Sequence, residues 1–359
     1  MVENSERREV LSIGIDLGDR VSTFTALSSE RQVLETGRVS TTRLAFQRSF
    51  ARFSGCRVAI EAGAHSFWIH RVLSELGHEV SVVNPRRLKL LTQSLKKNDL
   101  NDSEILARVV VSDLELISPV CHRNIEKQKH RSLLRLRDAA VRARTKLVNC
   151  VRGVVKPFGL RIPACSAPSF HKRAAAYLPE EFMEIVGPLL GQIGTLTSTI
   201  VKYDRQISAL LEDNYPLARR LLQVRGVGPI TTLCFLATID DPSRFPKSRM
   251  VGPYLGLTPR QRDSSDNEPQ LRITKAGDSM LRRLLLQAAH YILGPFGEDC
   301  DLRRHGKAIC ARGGKNARKR AVVAVARKLA VLLHRLWVSG QTYEPLRQAR
   351  RRSAIEVPA

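Results

Sequence analysis

The sequence predicts an α/β domain with a mixed sheet, followed by a helical coiled-coil middle and a mostly α C-terminal domain. Three observations carry that prediction. The first hundred or so residues alternate short β-branched apolar runs with helical stretches. From about Glu126 apolar residues recur at three- and four-residue steps instead. The charge is also partitioned: residues 1–125 hold 17 Lys+Arg against 15 Asp+Glu, whereas the whole 359-residue chain reaches +25. A near-neutral domain is thus followed by a cationic remainder, which favours a polyanionic partner whose phosphates supply the affinity.

The strands come first. LSIGIDL (11–17), VSTFTAL (21–27) and QVLETGRVS (32–40) read as three consecutive strands, with Gly18 and Asp19 supplying the first turn. Thr42–Phe53 has helical character, and Arg57–Ile60 is a short strand ending at Glu61. Phe67–Leu76 is a helix stopped by Gly77, and Glu79–Val83 a strand stopped by Asn84-Pro85. The block is expected to end near residue 118.

Two long helices follow. Leu133, Leu136, Ala140, Ala143, Leu147, Cys150 and Val154 form a heptad-like seam, and Leu189, Ile193, Leu196, Ile200, Tyr203, Ile207 and Leu210 repeat it. Pro157, Pro163, Pro168 and Pro179 make the segment between them an irregular connection. Such seams suit an antiparallel hairpin, a dimerisation arm, or both, over 119–215. A third unit is expected over 216–340. It holds Gly226-Val227-Gly228 between helical stretches, an amphipathic helix on Leu281–Ile292, and another on Val322–Leu336 preceded by the basic run Arg312–Arg320. The Gly226/Gly228 turn resembles a helix-hairpin-helix, where backbone N–H groups approach a phosphate; a tight turn with no ligand reads the same way. Residues 341–359 are expected to be a disordered basic tail.

The seven cysteines are scattered with no CxxC pair, so neither a zinc site nor a disulfide framework is suggested. The polar start MVENSERREV is no signal peptide, and no apolar run reaches membrane-spanning length. A soluble chain of the cytoplasm with no membrane partner is expected.

The acidic residues carry the chemistry. Asp16 and Glu61 each end an apolar run, which is how a strand delivers a charge to the rim of a sheet. Asp99 and Asp102 lie three apart, on one face if helical. Four convergent carboxylates repel one another unless cations sit between them, so the group is a candidate Mg²⁺ site for phosphodiester chemistry.

In order and content, GIDLG, IEAG and K-x-D-x-x-D resemble the RuvC-like, RNase H-fold DEDD domain of a class of bacterial insertion-sequence transposases related to Piv-type invertases. A second motif set resembles that class independently: GLTP at Gly256–Pro259, ITKAGD at Ile273–Asp278, then an LRR-containing helix. Counting from either landmark places the family's nucleophilic serine on Ser264; the family usually has Gly next, where this chain has Ser265. Arg260, Arg262, Arg272 and Lys275 flank it, able to clamp a phosphate.

The resemblance implies Mg²⁺-dependent strand cleavage and exchange through a serine–DNA intermediate. Asp16, Glu61, Asp99 and Asp102 would be the metal ligands. It also implies double-stranded DNA (element ends and target) as substrate, a structured guide RNA from the element itself, and a homodimer or homotetramer whose subunits share sites. Two rivals remain: a junction-resolving metal nuclease without a covalent intermediate, and a catalytically inactive nucleic-acid-binding copy.

Overall fold

The computed structural model describes residues 10–84, 99–112, 119–261 and 271–347, in two compact units, Met1–His122 and Arg123–Ala359. The first unit holds strands β1 (Val10–Asp16), β2 (Val21–Ser28), β3 (Val33–Ser40), β4 (Arg57–Glu61) and β5 (Glu79–Val83). They form one sheet in the order β3-β2-β1-β4-β5. β1 to β3 are joined by tight turns and pair antiparallel, whereas β4 and β5 add parallel to β1 after helical crossovers.

Helices cover both faces. Odd-numbered Ile13 and Ile15 of β1 pack with Phe46 and Phe50 of α1 (Arg43–Phe50) and Ile69, Val72 and Leu73 of α2 (Ser66–Glu75). α3 (Asp99–Val110) lies on the other face, where its Leu106 and Val110 meet Ala59 and Val83. The expected strands and first two helices occur within three residues of their observed ends.

The second unit is helical. α4 (Ile125–Val155) and α6 (Glu180–Asn214) run antiparallel: His130 meets Tyr215, Arg137 meets Asp204, and Arg144 meets Thr197. Along α6 the expected seam is sound at Ile193, Ile200 and Ile207, all buried. On α4 it is displaced by one residue. Leu134, Arg144, Val148, Val151 and Val155 are buried there, whereas Leu136 is 56% exposed and Cys150 is exposed. The contact line contains His130, Arg137 and Arg144, which hydrogen-bond across the hairpin. Apolar periodicity therefore selected the neighbouring, more hydrophobic stripe.

The connection expected to be irregular contains a helix, α5 (Phe170–Tyr177). Its Phe170 and Ala174 fill a core with Val148, Val151, Val186 and Leu190 at the far end of the hairpin.

A larger core joins the base of the hairpin (Leu134, Ile207, Leu211) to α7 (Ala218–Leu222), α8 (Pro229–Ile239), α9 (Val251–Tyr254), α10 (Ser279–Leu293), α11 (Asp301–Ala311) and α12 (Ala317–Ser339). α8 is buried from Thr231 to Ile239, hence its lack of charged residues. The tail is not wholly disordered. Tyr343 packs on this core and its amide donates to Gln223 Oε1, while the Pro345 carbonyl accepts from the Asp301 amide. One aromatic ring is enough to fix the first residues of a chain otherwise reading as polar; 348–359 lie outside the described residues. Among the described residues no helix is long and apolar enough to cross a membrane.

Candidate active site

The acidic residues are positioned by strand parity and by one glycine. Side chains alternate across a strand, so Asp16 lies on the same face as Ser12 and Gly14, and Glu61 on the same face as Ala59. That is the face α3 covers. Ile15 pairs with Ile60, which sets Asp16 and Glu61 side by side at the ends of adjacent parallel strands.

The direction of α3 then brings the other pair to the same edge. Ser12 Oγ donates to the Ala107 carbonyl (2.9 Å), and Thr25 Oγ1 lies 2.8 Å from Ser103 Oγ. A Cβ on Gly14 would overlap the Ser103 carbonyl and the Ala107 nitrogen. Residue 107 thus sits over residue 12 and residue 103 over residue 14, so the first turn of α3, with Asp99 and Asp102, lies toward residue 16. Gly14, Thr25 and Ser103 are positioning residues missed in the sequence. A glycine inside an apolar strand was the available signal.

Asp16, Glu61 and Asp102 are partly buried and Asp99 is exposed. Among the described residues no three acidic, His or Cys side chains converge closely enough to hold an ion, so the carboxylates share an edge without forming a finished cage. Their hard oxygen donors suit Mg²⁺. The loops at that edge add His65, which lies 3.2 Å from Asp19. Trp68 Nε1 donates to His65 Nδ1 (3.1 Å), leaving Nε2 to carry the proton toward Asp19.

In the second unit the two motif arms pair with each other. Pro259 and Ile273 form an antiparallel bridge; the Arg260 amide donates to the Arg272 carbonyl (3.0 Å) and the Thr274 amide to the Thr258 carbonyl (2.9 Å). These arms bracket in sequence residues 261–271, among which Ser264 falls. Ser264, Ser265 and Arg262 lie outside the described residues. Arg260, Arg272 and Lys275 are exposed.

The motif glycines are structural. Gly256 (φ +65°) and Gly277 (φ +68°) adopt left-handed backbone, and a Cβ on either would strike Ala276 or the Tyr254 carbonyl respectively. Lys275 shares that region at φ +56°, a conformation strained for a side chain. Asp278 caps α10 by accepting from the Leu281 amide (2.8 Å) and pairs with Arg131 of α4 (2.7 Å). Burial alone would raise the Asp278 carboxyl, but the Leu281 amide and the Arg131 guanidinium hold it below the usual range. Arg123 reinforces the cluster through the Thr238 carbonyl (3.0 Å) and the Tyr254 hydroxyl (3.2 Å).

Gly226 and Gly228 separate in role. Gly226 turns at φ +87° and packs on Tyr291 and the Ala288 carbonyl of α10, so packing explains it. Gly228 is exposed at the N-terminus of α8, preceding Pro229.

Known proteins match along the same two segments. A DEDD transposase model of IS110 type, described as "Transposase", matches residues 13–158, and the "Transposase IS116/IS110/IS902 family" model matches 218–296. A probable family 20 transposase of Pseudomonas aeruginosa is 31% identical over 93% of this chain and 98% of its own. The transposase for insertion sequence element IS1111A of Coxiella burnetii is 28% identical, covering 94% and 92%. That for IS1328 of Yersinia enterocolitica is 29% identical, covering 86% and 95%. Similarity over nearly the full length of both chains, joined to matches in both motif regions, places the chain in the IS116/IS110/IS902 family of insertion-sequence transposases.

Proposed function

We propose that this transposase is a Mg²⁺-dependent DNA recombinase that cuts and rejoins strands through a covalent link to Ser264. The observation that carries the reading is the shared edge: Asp16 and Glu61 on adjacent parallel strands, under the helix whose first turn holds Asp99 and Asp102. The β3-β2-β1-β4-β5 order, antiparallel then parallel, supports an RNase H-like assignment for this unit.

A metal ion held by these carboxylates would supply charge neutralisation at the scissile phosphate. The chain's own groups do the rest. Ser264 Oγ attacks phosphorus; the Oγ–P bond forms as the bond from phosphorus to a sugar oxygen breaks, the hydroxyl losing its proton and the sugar oxygen gaining one. Arg260, Arg262, Arg272 and Lys275 hold the phosphate oxygens while charge develops on them. Residues 256–278 contain no His, and in this reading the carboxylate edge of a second subunit in a dimer or tetramer supplies the base. In this reading Gly228, exposed at the head of α8, meets a DNA phosphate, with Gly226 shaping its turn.

The reading includes a guide RNA encoded by the element and action in the cytoplasm, at the nucleoid. Purified protein is incubated with Mg²⁺ and labelled duplex spanning the element junction, with and without the element's transcribed flanking RNA. Cleavage only with both Mg²⁺ and RNA, with a denaturant-stable protein–DNA adduct, supports the full reading. Cleavage indifferent to RNA removes the guide, and cleavage without a divalent ion removes the metal role.

A further inference from the structure

Between Asp301 and Glu344 the chain has 11 Lys+Arg and no Asp or Glu. This run folds as α11, a turn, and α12. Elsewhere in the second unit, surface cations find carboxylates: Lys129 with Glu126, Arg142 with Asp138, Arg225 with Glu298; in the run itself Arg304, in the first turns of α11, pairs with Asp299. Along the helical pair, Lys307, Arg312, Lys315, Arg318 and Lys319 are exposed, and none forms an ion pair among the described residues.

The cations are gathered in space as well as in sequence. Gly313 and Gly314 both take left-handed backbone (φ +72° and +92°), folding α12 back beside α11. His305 of α11 is held below its ordinary value by burial and then by Lys328, Arg312 and Arg327, which draw near one ring from separate turns of chain. Such a cluster is self-repelling, and a polyanion relieves it.

The chemistry distinguishes among polyanions. From Leu302 to Leu336 there is no Phe, Tyr or Trp. Surfaces for unpaired bases combine cations with aromatic platforms, whereas a duplex presents phosphates with its bases stacked inside. We infer that the α11–α12 hairpin is a second DNA site, gripping the backbone of duplex DNA without reading its sequence, through Lys307, Arg312, Lys315, Arg318, Lys319 and Lys328. The inference rests on the transposase reading but not on the serine mechanism: this surface holds the duplex and touches no reacting atom.

The test is binding in EDTA, where no cleavage competes. Full-length protein and the Arg318→Ala/Lys319→Ala variant are titrated by fluorescence anisotropy with a random-sequence duplex across a potassium chloride series. Each phosphate contact contributes about 0.9 to the slope of log affinity against log salt, so the double variant should lose about 1.8. Its thermal midpoint should match the parent. A control, Lys202→Ala/Arg205→Ala on the exposed face of α6, removes the same charge elsewhere and should leave the slope nearly intact.

An unchanged slope in the hairpin variant, or an equal fall in the control, overturns the inference. So does a loss confined to single-stranded DNA or to RNA, tested as parallel arms. Binding in EDTA is read without strand cleavage, so failure of the covalent mechanism and failure of this site are separately visible.

Discussion

Arg131 on α4 and Asp278 at the head of α10 form an ion pair of 2.7 Å, with side chains only 11% and 16% exposed. Asp278 ends the ITKAGD motif and also caps its helix, so this pair ties the paired motif arms to the long hairpin. Removing one partner strands the other charge away from water. Arg131→Ala should cost about 3 kcal/mol or more in urea unfolding. Asp278→Asn keeps an acceptor for the Leu281 amide and should cost less. A loss below about 1 kcal/mol for Arg131→Ala would show the pair to be no more than a surface bridge.

Gly14 sets the distance between β1 and α3. Gly14→Ala forces a methyl into the Ser103 carbonyl, so α3 must lift and carry Asp99 and Asp102 away from Asp16. Overpacking of this kind costs about 1–3 kcal/mol. Strand cleavage should fall by far more than the remaining folded fraction explains. If thermal denaturation shows the fold intact and cleavage is normal, the carboxylate edge does not depend on this contact.

Stability should fall on mild acidification. His334 is buried, with Nε2 3.1 Å from the Pro242 carbonyl and Nδ1 2.9 Å from Ser248 Oγ. Burial lowers its pKa, only partly opposed by that carbonyl; His130 and His78 shift the same way, chiefly through burial. A folded pKa below the unfolded value means that the unfolded chain binds more protons between the two. The stabilising contribution is therefore complete above the ordinary value of 6.5 and declines as pH falls below it. The thermal midpoint should drop from pH 7 toward pH 5.5, with a shallower drop in His334→Gln. An identical pH profile in that variant would remove His334 from the account.

Arg144 is 8% exposed in the hairpin seam; its Nε has no hydrogen-bond partner among the described residues, and its one bond, to Thr197, is long at 3.4 Å. A buried cation this poorly satisfied is a candidate for apolar replacement. Arg144→Met should raise the unfolding midpoint. A lower midpoint would show that the guanidinium is better paired than its contacts indicate.

The first unit was legible because its signals are local. Alternation set β1 to β5, and the ends of two apolar runs put Asp16 and Glu61 at the rim of the sheet; that they share one face follows from the β1–β4 register. Gly14 was not read because its reason, the backbone of α3, lies almost ninety residues away. The α4 seam misled for a related cause: Arg137 and Arg144 lie on the contact line because Asp204 and Thr197 stand opposite, and periodicity weighs a residue without its partner. In the C-terminal motif set the landmarks GLTP and ITKAGD were plain, but their glycines and Asp278 shape and anchor the two paired arms, a purpose that emerges only from the folded backbone.

The central claim is a serine–DNA bond made with the help of the carboxylate edge. Its most direct measurement is denaturing capture of protein on junction duplex with Mg²⁺ and the flanking RNA, comparing the parent, Ser264→Ala and Asp16→Asn. The account predicts a denaturant-stable adduct in the parent, mapped to Ser264 by peptide mass, and none in either variant. Cleavage that persists in Ser264→Ala, with no adduct in any protein, would contradict it and identify a metal nuclease that uses water.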